Sequence, residues 1–259
     1  MKPCCLTIAG SDSGGNAGVQ ADLRAFHHYG LHGCTVFAAL TAQNPFGVSA
    51  VHPVPPDFVA AQLDAVLGVY NIRALKTGML AEIGVIETVA ERLRRHPEIS
   101  KVIDPVMVAT SGAKLISDNA VATLKSQLLP LATIVTPNIP EAEVLCGRSG
   151  TPAEMAKRIH GEFGAAVLVK GGHGDGDSSV DVLCDDRGNI CEFSSQRIID
   201  PVSTHGTGCS LAAALAAELA LDHSLADAVR GAKQFVHAAI ANSFFVGRDC
   251  GVLGFVEQL

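Results

Sequence analysis

Short runs of apolar and β-branched residues alternate along most of the chain with longer segments whose apolar residues recur every three or four positions. The short runs predict buried strands, and the longer segments predict amphipathic helices. The predicted strands are 4–9, 34–40, 72–77, 101–103, 132–135 and 166–169. The predicted helices are 17–29, 56–70, 81–95, 119–129, 140–146 and 151–163.

Apolar spacing also assigns the inner face of the first two helices. In an amphipathic helix, the residues that recur every three or four positions face the core. The predicted inner residues are Leu23 and Phe26 in the first helix, and Phe58, Leu63, Val66 and Leu67 in the second.

The pattern changes after residue 169. Two runs rich in apolar residues, 180–184 and 190–193, lie on either side of a polar stretch. This arrangement predicts a β-hairpin whose turn is 185–189. Two more helices are predicted from their periodicity, at 207–221 and 225–244.

The repeated strand–helix–strand order predicts an α/β protein with right-handed crossovers and a mainly parallel sheet. Because such a sheet is buried on both sides, helices must cover both faces. No segment has the composition of a linker, so we expect a single doubly wound domain over residues 1–259. Ligands of these sheets bind beyond the carboxyl ends of the strands, which directs attention to the loops that follow strands.

Composition and charge narrow the class of protein. The chain has 259 residues, of which 48% are hydrophobic, and its mean hydropathy of +0.30 predicts a buried core and disfavours intrinsic disorder. The formal net charge of −7 disfavours a nucleic-acid or anionic-membrane binder, because no basic field is available to neutralise phosphates.

The chain is predicted to be cytoplasmic, with its thiols reduced. It has no apolar stretch of about 18 residues, so no membrane span is expected. Residues 1–9 are too short for the apolar region of a signal peptide. The 8 cysteines form no C-x-x-C pair, and a chain of this length does not need disulfides to hold a core.

A glycine-rich segment, 10–18, follows the first predicted strand, and Asp22 follows in the next helix. The segment either lets a ligand approach the backbone closely, with Asp22 projecting beside it, or is a flexible turn with Asp22 favoured by the helix dipole. It does not fit G-x-G-x-x-G, so a dinucleotide fingerprint is not supported.

A second glycine-rich segment opens the helix at 207–221. Gly206 and Gly208 flank Thr207 where a helix start leaves backbone N–H groups free, which favours an anion site over ordinary tight packing. Cys209 follows, where the helix dipole favours a thiolate; its alternative role is that of a small buried hydrophobe. The chain contains no Walker A loop.

Strand-end carboxylates predict a metal site. Asp104 follows one predicted strand, and Asn138 and Glu141 follow another. Mg²⁺ binds through a few carboxylates together with water and phosphate oxygens, so Glu141 is a candidate ligand and Asp104 a second carboxylate for it. The alternative for Glu141 is a position in the first turn of a helix, favoured by the dipole.

Two further strand ends carry polar side chains. Lys170 precedes Gly171 and Gly172, and it either reaches a phosphate as a point charge or is a solvated lysine at a turn. Gln43 offers one acceptor and two donors that suit the edge of a heterocycle; alternatively it forms a turn with its amide neighbour.

Two glycine-rich anion sites, a strand-end lysine, strand-end carboxylates and no redox fingerprint together predict phosphoryl transfer. The same segments carry a resemblance to a known family. In chain order they are 9–22, 41–44, 76–80, 104–112, 136–143, 169–173 and 204–209. Over residues 7–244 the chain resembles the ribokinase-like superfamily and, within it, the hydroxymethylpyrimidine/phosphomethylpyrimidine kinases of thiamine biosynthesis.

The resemblance implies a ring site for an aminopyrimidine. Gln43 and Asp22 correspond to the family's ring-holding residues. Gly10, Met79 and Val106 correspond to the lining of the ring pocket.

The resemblance also implies a site for ATP and Mg²⁺. Asn138 and Glu141 correspond to residues that serve Mg²⁺ and phosphate, and Asp104 to a residue near the metal. Lys170, with the glycines at 171–172, corresponds to the segment that approaches the ATP phosphates.

The implied catalytic segment is at 206–209. Gly206, Thr207 and Gly208 correspond to the anion hole for the transferring group. Cys209 occupies the position of the base, where sugar kinases of the superfamily have aspartate.

Two positions depart from the pattern of many family members. Asn16 replaces a glycine in the first loop, and we expect it to keep the turn because asparagine tolerates positive φ. Thr110 stands where many members have lysine, which leaves the number of cationic phosphate contacts open.

The resemblance implies ATP-dependent phosphorylation of 4-amino-5-hydroxymethyl-2-methylpyrimidine, and then of its monophosphate, by a homodimer. The alternatives are a pyridoxal or pyridoxine kinase of the same superfamily and a nucleotide-binding protein without catalytic activity. Gln43 favours the aminopyrimidine, since pyridoxine lacks the exocyclic amine with which its amide would pair. The glycine-rich stretch 171–178 is the expected lid.

Overall fold

The computed structural model describes residues 2–107, 116–172 and 176–255, within which the chain forms eleven strands and eight α-helices. The strands are β1 (Cys4–Asp12), β2 (His32–Asn44), β3 (Gly47–Pro53), β4 (Ile72–Thr77), β5 (Ser100–Ile103), β6 (Ile134–Val135), β7 (Ala166–Val169), β8 (Ser178–Cys184), β9 (Ile190–Gln196), β10 (Phe244–Gly247) and β11 (Cys250–Val252). The helices are α1 (Gly18–His28), α2 (Pro56–Leu67), α3 (Ile83–Leu93), α4 (Asp118–Thr123), α5 (Ile139–Cys146), α6 (Pro152–Phe163), α7 (Thr207–Ala220) and α8 (Leu225–Ala241).

Nine strands form one sheet in the order β3-β2-β1-β4-β5-β6-β7-β8-β9. The six strands from β2 to β7 in this order are parallel, whereas β3, β8 and β9 are each antiparallel to a neighbour. Strands β2 and β3 lie on one side of β1, and β4 to β9 are added on its other side. This reversal opens a crevice at the carboxyl ends of β1 and β4. The predicted doubly wound, mainly parallel α/β fold is confirmed.

Helices cover both faces of the sheet. Helices α1, α7 and α8 pack on one face, and α2 to α6 pack on the other. Side chains alternate along the strands: on β1, Leu6 and Ile8 join one core and Cys5 the other, and on β5, Ile103 and Val102 divide in the same way. No helix in the described ranges is both long and apolar enough to cross a membrane.

The strands at the carboxyl edge are longer than predicted. Strand β1 continues beyond residue 9 to Asp12, and β2 reaches Asn44 instead of ending at residue 40. The last residues of β2 pair with β3, an antiparallel strand that the sequence did not predict. The apolar run stops before the hydrogen-bonded ladder does, because these residues extend past the core. Gln43 therefore lies on a strand.

Most helices end one to three residues earlier than predicted, and α8 and α4 are each followed by a different element. Helix α8 ends at Ala241, and the apolar residues after it start the hairpin of β10 and β11. Helix α4 ends at Thr123 and continues as a π-helical turn, Leu124–Leu128, and a 3-10 turn, Leu129–Leu131. The residues that follow both helices are rich in apolar side chains, so the apolar pattern did not reveal where the helices end.

The inner face of α2 is rotated from the predicted one. Leu63 is buried as predicted, and Val66 packs partly buried against the core, but Phe58 is 60% exposed. The buried residue of the first turn is Val59, which is four positions before Leu63. A difference of one position turns a side chain by about 100° around the helix, so Phe58 lies outside the buried face of α2. On α1, Phe26 is buried as predicted, whereas Leu23 is 36% exposed.

Candidate active site

One carboxylate organises the loop after β1. Asp12 accepts the backbone N–H of Gly14 through Oδ1 at 2.8 Å, and those of Asn16 and Ala17 through Oδ2 at 2.9 and 2.8 Å. The loop is therefore a fixed turn around a buried carboxylate. Asp12 was not predicted as a site residue, although an aspartate that starts a glycine-rich run is a signal for such a turn.

Glycines carry the tight backbone of this loop. Gly15 and Gly18 have φ of +76° and +57°, and a Cβ on Gly18 would lie 2.3 Å from the carbonyl oxygen of Gly10. Asn16, which lies within the described residues, is not among the positions with positive φ. Our explanation for Asn16 was therefore wrong: it replaces a glycine where no left-handed backbone is needed. Thr110 lies outside the described residues.

The two glycine-rich segments are in direct contact. Gly206 precedes α7 with φ of +86°, and a Cβ there would lie 1.9 Å from the carbonyl oxygen of Asn16. Thr207, Gly208 and Cys209 form the first turn of α7. A helix leaves its first N–H groups without partners in the helix, so this contact presents backbone donors at the crevice. That is the geometry an anion site requires.

Cys209 lies against the start of α1. A Cβ on Gly206, three residues before it, would lie 3.7 Å from the Cα of Ala17, and the Gly18 N–H favours the Cys209 thiolate. Burial raises the pKa of the Cys209 thiol; the Lys76 ammonium opposes this increase, and the carboxylates of Asp22 and Asp104 add to it. We expected the helix dipole to favour the thiolate, but burial outweighs the favourable contacts.

Lys76 and Asp22 form an ion pair with no exposed surface. The Lys76 Nζ, on β4, lies 3.0 and 2.9 Å from the two carboxylate oxygens of Asp22, on α1, and both side chains are 0% exposed. The Thr7 hydroxyl donates to Asp22 Oδ2 at 2.6 Å. Burial disfavours the charge on Lys76, but Asp22, Cys209 and Asp104 together outweigh burial and raise the pKa of Lys76. Contact between Asp22 and a pyrimidine ring stays a prediction.

The sequence interpretation did not select Lys76. Its signal is a lysine inside an otherwise buried strand, where a charged side chain is almost always paired.

A second ion pair joins the ends of β5 and β7. The Lys170 Nζ lies 2.8 Å from Asp104 Oδ1, which also accepts the Thr136 hydroxyl at 3.1 Å. Burial disfavours the charge on Lys170, but Asp104 and Glu141 outweigh it and raise the pKa of Lys170. The Lys170 side chain is 13% exposed, so the solvated-lysine alternative is wrong.

Asn138 and Glu141 form the capping box of α5. Asn138 Oδ1 accepts the Glu141 N–H at 2.8 Å, and Glu141 Oε2 accepts the Asn138 N–H at 2.9 Å. Burial raises the pKa of Glu141 to about 7; Lys170 opposes the increase, and Asp104 adds to it. The helix-start alternative is thus correct, and it still places Glu141 beside the Lys170–Asp104 pair.

The donor set fits Mg²⁺ with phosphate better than a site built of protein alone. In the described ranges, no group of three or more His, Cys, Asp or Glu side chains is placed to hold a metal ion. Mg²⁺ needs only one or two carboxylates when phosphate oxygens and waters complete its shell. Asp104 and Glu141 supply two.

Hydrogen bonds to Asp181, on β8, hold the turn after β7 in place. The Gly171 N–H donates to Asp181 Oδ1 at 2.8 Å, and Lys233, on α8, donates to Asp181 Oδ2 at 2.7 Å. A Cβ on Gly171 would lie 1.8 Å from the Val180 carbonyl oxygen, so only glycine fits there. Gly172 follows in the turn, and the rest of the expected lid includes residues 173–175, which are outside the described ranges. Asp181 and Lys233 were not predicted.

The residues predicted to line a ring pocket come from four neighbouring strand ends. Gly10 and Met79 touch, since a Cβ on Gly10 would lie 2.6 Å from Met79 Cε. Val106 is half-buried just after β5. Gln43 is fixed on β2 by two 2.8 Å hydrogen bonds between its backbone and the Ser13 hydroxyl.

The candidates thus follow the carboxyl edge of the sheet in two sets. The ring set comes from the ends of β2, β1, β4 and β5, and the phosphate set from the ends of β5, β6 and β7. Cys209 interacts with charged groups of both sets. An alcohol on one side and a polyphosphate on the other would meet at its sulfur, which is an arrangement for phosphoryl transfer.

Solved structures identify the class of protein. The chain is similar to Bacillus subtilis pyridoxal kinase, solved as an ADP complex, with a TM-score of 0.91 and 35% identity over 99% of this chain and 98% of that chain. The fold is that of a ribokinase-like kinase.

Sequence comparison identifies the family. Residues 12–254 match the family described as phosphomethylpyrimidine kinase. The chain is 46% identical to a hydroxymethylpyrimidine/phosphomethylpyrimidine kinase of Rhizobium meliloti, over 93% of this chain and 91% of that protein. It is 47% identical to the thiamine biosynthesis bifunctional protein ThiED of Geobacter sulfurreducens over 95% of this chain, and spans 51% of that protein. The chain belongs to the phosphomethylpyrimidine kinase family.

The contact between the glycine-rich segments can be tested by adding one methyl group. In Gly206→Ala, the Cβ would lie 1.9 Å from the Asn16 carbonyl oxygen at a φ of +86°. We expect the free energy of unfolding, measured with urea, to fall by about 1–3 kcal/mol from backbone strain alone. The matched control is Gly208→Ala, whose Cβ would lie 3.6 Å from Lys170 Nζ, an ordinary contact. Equal stabilities for the two variants would contradict the contact.

Proposed function

We propose that the chain transfers the γ-phosphoryl group of ATP to the hydroxymethyl oxygen of 4-amino-5-hydroxymethyl-2-methylpyrimidine, and then a second phosphoryl group to the resulting monophosphate. The observation that carries the proposal is the position of Cys209 in the first turn of α7, after Gly206, which contacts the loop that follows β1, and Gly208, whose Cβ would lie 3.6 Å from Lys170 Nζ. Membership of the phosphomethylpyrimidine kinase family supports the choice of substrate.

Cys209 acts as the proton acceptor in its thiolate form. The hydroxyl proton passes to the sulfur as the hydroxyl oxygen bonds to the γ-phosphorus. The bond between the γ-phosphorus and the bridging oxygen breaks, and ADP leaves with the electron pair. The Gly18 N–H and the Lys76 ammonium favour the thiolate, against the effect of burial. Proton transfer to a positioned base of this kind contributes about 10²–10⁴-fold to rate.

Fixed donors stabilise the charge on the transferring group. The first-turn amides of α7, at 206–208, face the oxygens of the γ-phosphate, and Lys170 supplies a cation. Because Asp104 and the backbone already hold Lys170 in place, little reorganisation is needed when ATP binds. Gly171 and Gly172 allow the ATP phosphates to approach the backbone after β7.

Asp104 and Glu141 would hold Mg²⁺ together with phosphate oxygens, with the Asn138 amide beside them. When bound, Mg²⁺ supplies positive charge that offsets the negative oxygens of the γ-phosphate.

Gln43 and Asp22 orient the pyrimidine, and Gly10, Met79 and Val106 form its walls. The Gln43 amide lies 3.1 Å from the Thr41 hydroxyl, which donates to the Ser11 carbonyl oxygen at 2.7 Å, and the Gln43 backbone is fixed by the Ser13 hydroxyl. An amide fixed in this way selects a ring that presents an amine over one that does not.

The proposal includes one kinase domain over residues 1–259, a homodimer and a cytoplasmic location. A thiol base must stay reduced to accept a proton, which suits a reducing compartment. Small molecules are its expected partners, and no nucleic acid or membrane is required.

Replacing the sulfur tests the base directly. We expect Cys209→Ala to lower kcat by about 10²–10⁴-fold. The KM for the pyrimidine should change little, because the ring contacts remain. Release of ADP with and without the pyrimidine measures both values. Cys191→Ala, which changes an exposed cysteine on β9, is the control and should keep the wild-type kcat. A Cys209→Ala variant with unchanged kcat removes Cys209 from the mechanism.

Substrate preference separates the two kinase alternatives, since a similar structure is a pyridoxal kinase. We expect kcat/KM for the hydroxymethylpyrimidine to exceed that for pyridoxine by at least about tenfold, because pyridoxine lacks the amine that pairs with Gln43. Gln43→Leu should remove most of this preference by lowering only the pyrimidine value. A higher kcat/KM for pyridoxine in the wild-type enzyme would make the chain a pyridoxine kinase.

A further inference from the structure

A buried ion pair beside β7 belongs to neither set of site candidates. The Lys233 Nζ, on α8, donates to Asp181 Oδ2, on β8, at 2.7 Å, and the two side chains are only 10% and 7% exposed. Burying two charges seldom stabilises a fold more than apolar side chains of the same volume would. The Asp181–Lys233 pair therefore calls for a role beyond packing.

The other oxygen of Asp181 holds the backbone of the turn after β7. Asp181 Oδ1 accepts the buried Gly171 N–H at 2.8 Å. The backbone of Gly171 also packs directly on β8, since a Cβ there would lie 1.8 Å from the Val180 carbonyl oxygen. The start of the turn is therefore fixed against β8, and its first N–H group has a partner before any ligand binds.

The position of Gly171 determines the direction of the Lys170 side chain. The Lys170 N–H donates to the Pro137 carbonyl oxygen at 2.9 Å, and the next N–H along the chain is the one that Asp181 accepts. The peptide groups on both sides of the Lys170 Cα are thus held. The Lys170 Nζ lies at the start of α7, where a Cβ on Gly208 would be 3.6 Å from it. Asp181 consequently helps to aim this ammonium at the anion site.

We propose that Asp181, itself held by Lys233, is a positioning residue for nucleotide binding: it fixes the peptide group after Lys170, so that the turn and its ammonium are ordered before ATP arrives. The proposal rests on the proposed function, in which Lys170 meets the ATP phosphates. Asp181 and Lys233 touch neither substrate. Without the Asp181 acceptor, the turn becomes ordered only on binding, and the backbone freedom lost at that step lowers the affinity for ATP.

The test compares two double variants that differ only in the acceptor for the Gly171 N–H. Asp181→Asn/Lys233→Met, the acceptor variant, keeps a side-chain oxygen at position 181. Asp181→Leu/Lys233→Met, the apolar variant, has a side chain of similar size and no acceptor. Because both partners of the ion pair are replaced together, neither variant leaves a buried charge without a partner, and we expect both to fold.

The quantity measured is the Kd for AMP-PCP, an unreactive ATP analogue, by isothermal titration calorimetry with Mg²⁺ and without the pyrimidine. The acceptor variant should stay within about threefold of the wild-type Kd, because a neutral acceptor is weaker than a charged one but still holds the turn. The apolar variant should have a Kd at least about tenfold higher, the cost of ordering about one residue on binding. The Kd for the hydroxymethylpyrimidine should be unchanged in both.

A matched control alters another buried carboxylate that packs on α8. Glu218, on α7, is 7% exposed, and a Cβ on Gly231 of α8 would lie 2.0 Å from its Oε1. Its hydrogen-bond partner is His223 and not a strand-end turn. Glu218→Gln should leave the Kd for AMP-PCP at the wild-type value. A rise as large as that of the apolar variant would contradict the proposal, since any disturbance of α8 would then have the same effect.

Amide hydrogen exchange in the wild-type protein gives a second measurement, which decides the question even if a double variant does not fold. The Gly171 amide, followed by NMR, should be protected before nucleotide is added, because Asp181 already accepts its hydrogen. Fast exchange that slows only when AMP-PCP binds would overturn the proposal.

A higher Kd for AMP-PCP in the apolar variant alone supports the proposal. Equal Kd values in the two double variants, or equal losses of affinity for AMP-PCP and for the pyrimidine, overturn it, because a merely structural pair would affect them alike. Failure of the proposed function is seen separately. The wild-type enzyme would then release no ADP with the hydroxymethylpyrimidine, whereas binding of AMP-PCP does not depend on the acceptor substrate.

Discussion

Two ion pairs, Lys76–Asp22 and Lys170–Asp104, lie almost out of reach of water at the carboxyl edge of the sheet. A buried charge is tolerated only when it is paired, and removing one partner of such a pair costs about 3–5 kcal/mol. The pairs therefore lock α1 to β4 and the end of β5 to the end of β7. The site is rigid before a ligand arrives, which is what electrostatic stabilisation of a transferring phosphoryl group requires.

The glycines complete this constraint on the other side of the crevice. Gly206 and Gly18 allow two loops and the start of α7 to approach to distances that no side chain permits. This approach places the first turn of α7, which carries Cys209, against the start of α1. The anion site, the sulfur and the buried ion pairs thus depend on each other. Glu141 can serve both in the first turn of α5 and as a candidate Mg²⁺ ligand, since its capping box with Asn138 positions the same carboxylate near Lys170.

The fold could be predicted from the sequence because burial on both faces leaves a strong pattern in strands and helices. The β2–β3 extension could not, because its residues form backbone ladders beyond the core and so carry no apolar signal. Among the site residues, glycine-rich loops and strand-end positions directed us to Lys170 and Cys209. Lys76 lies in a buried strand, which indicates a paired charge, but its partner, Asp22, is distant in sequence, so the sequence does not identify the pair.

The most direct measurement is a crystal structure of the enzyme with the hydroxymethylpyrimidine and an unreactive ATP analogue. The hydroxymethyl oxygen should lie within about 3–3.5 Å of the Cys209 sulfur and of the γ-phosphorus, the separation of groups ready to react. The γ-phosphate oxygens should face the start of α7 and Lys170. A hydroxymethyl group turned away from Cys209, or a γ-phosphate bound elsewhere, would contradict the assignment of this crevice as the site of phosphoryl transfer.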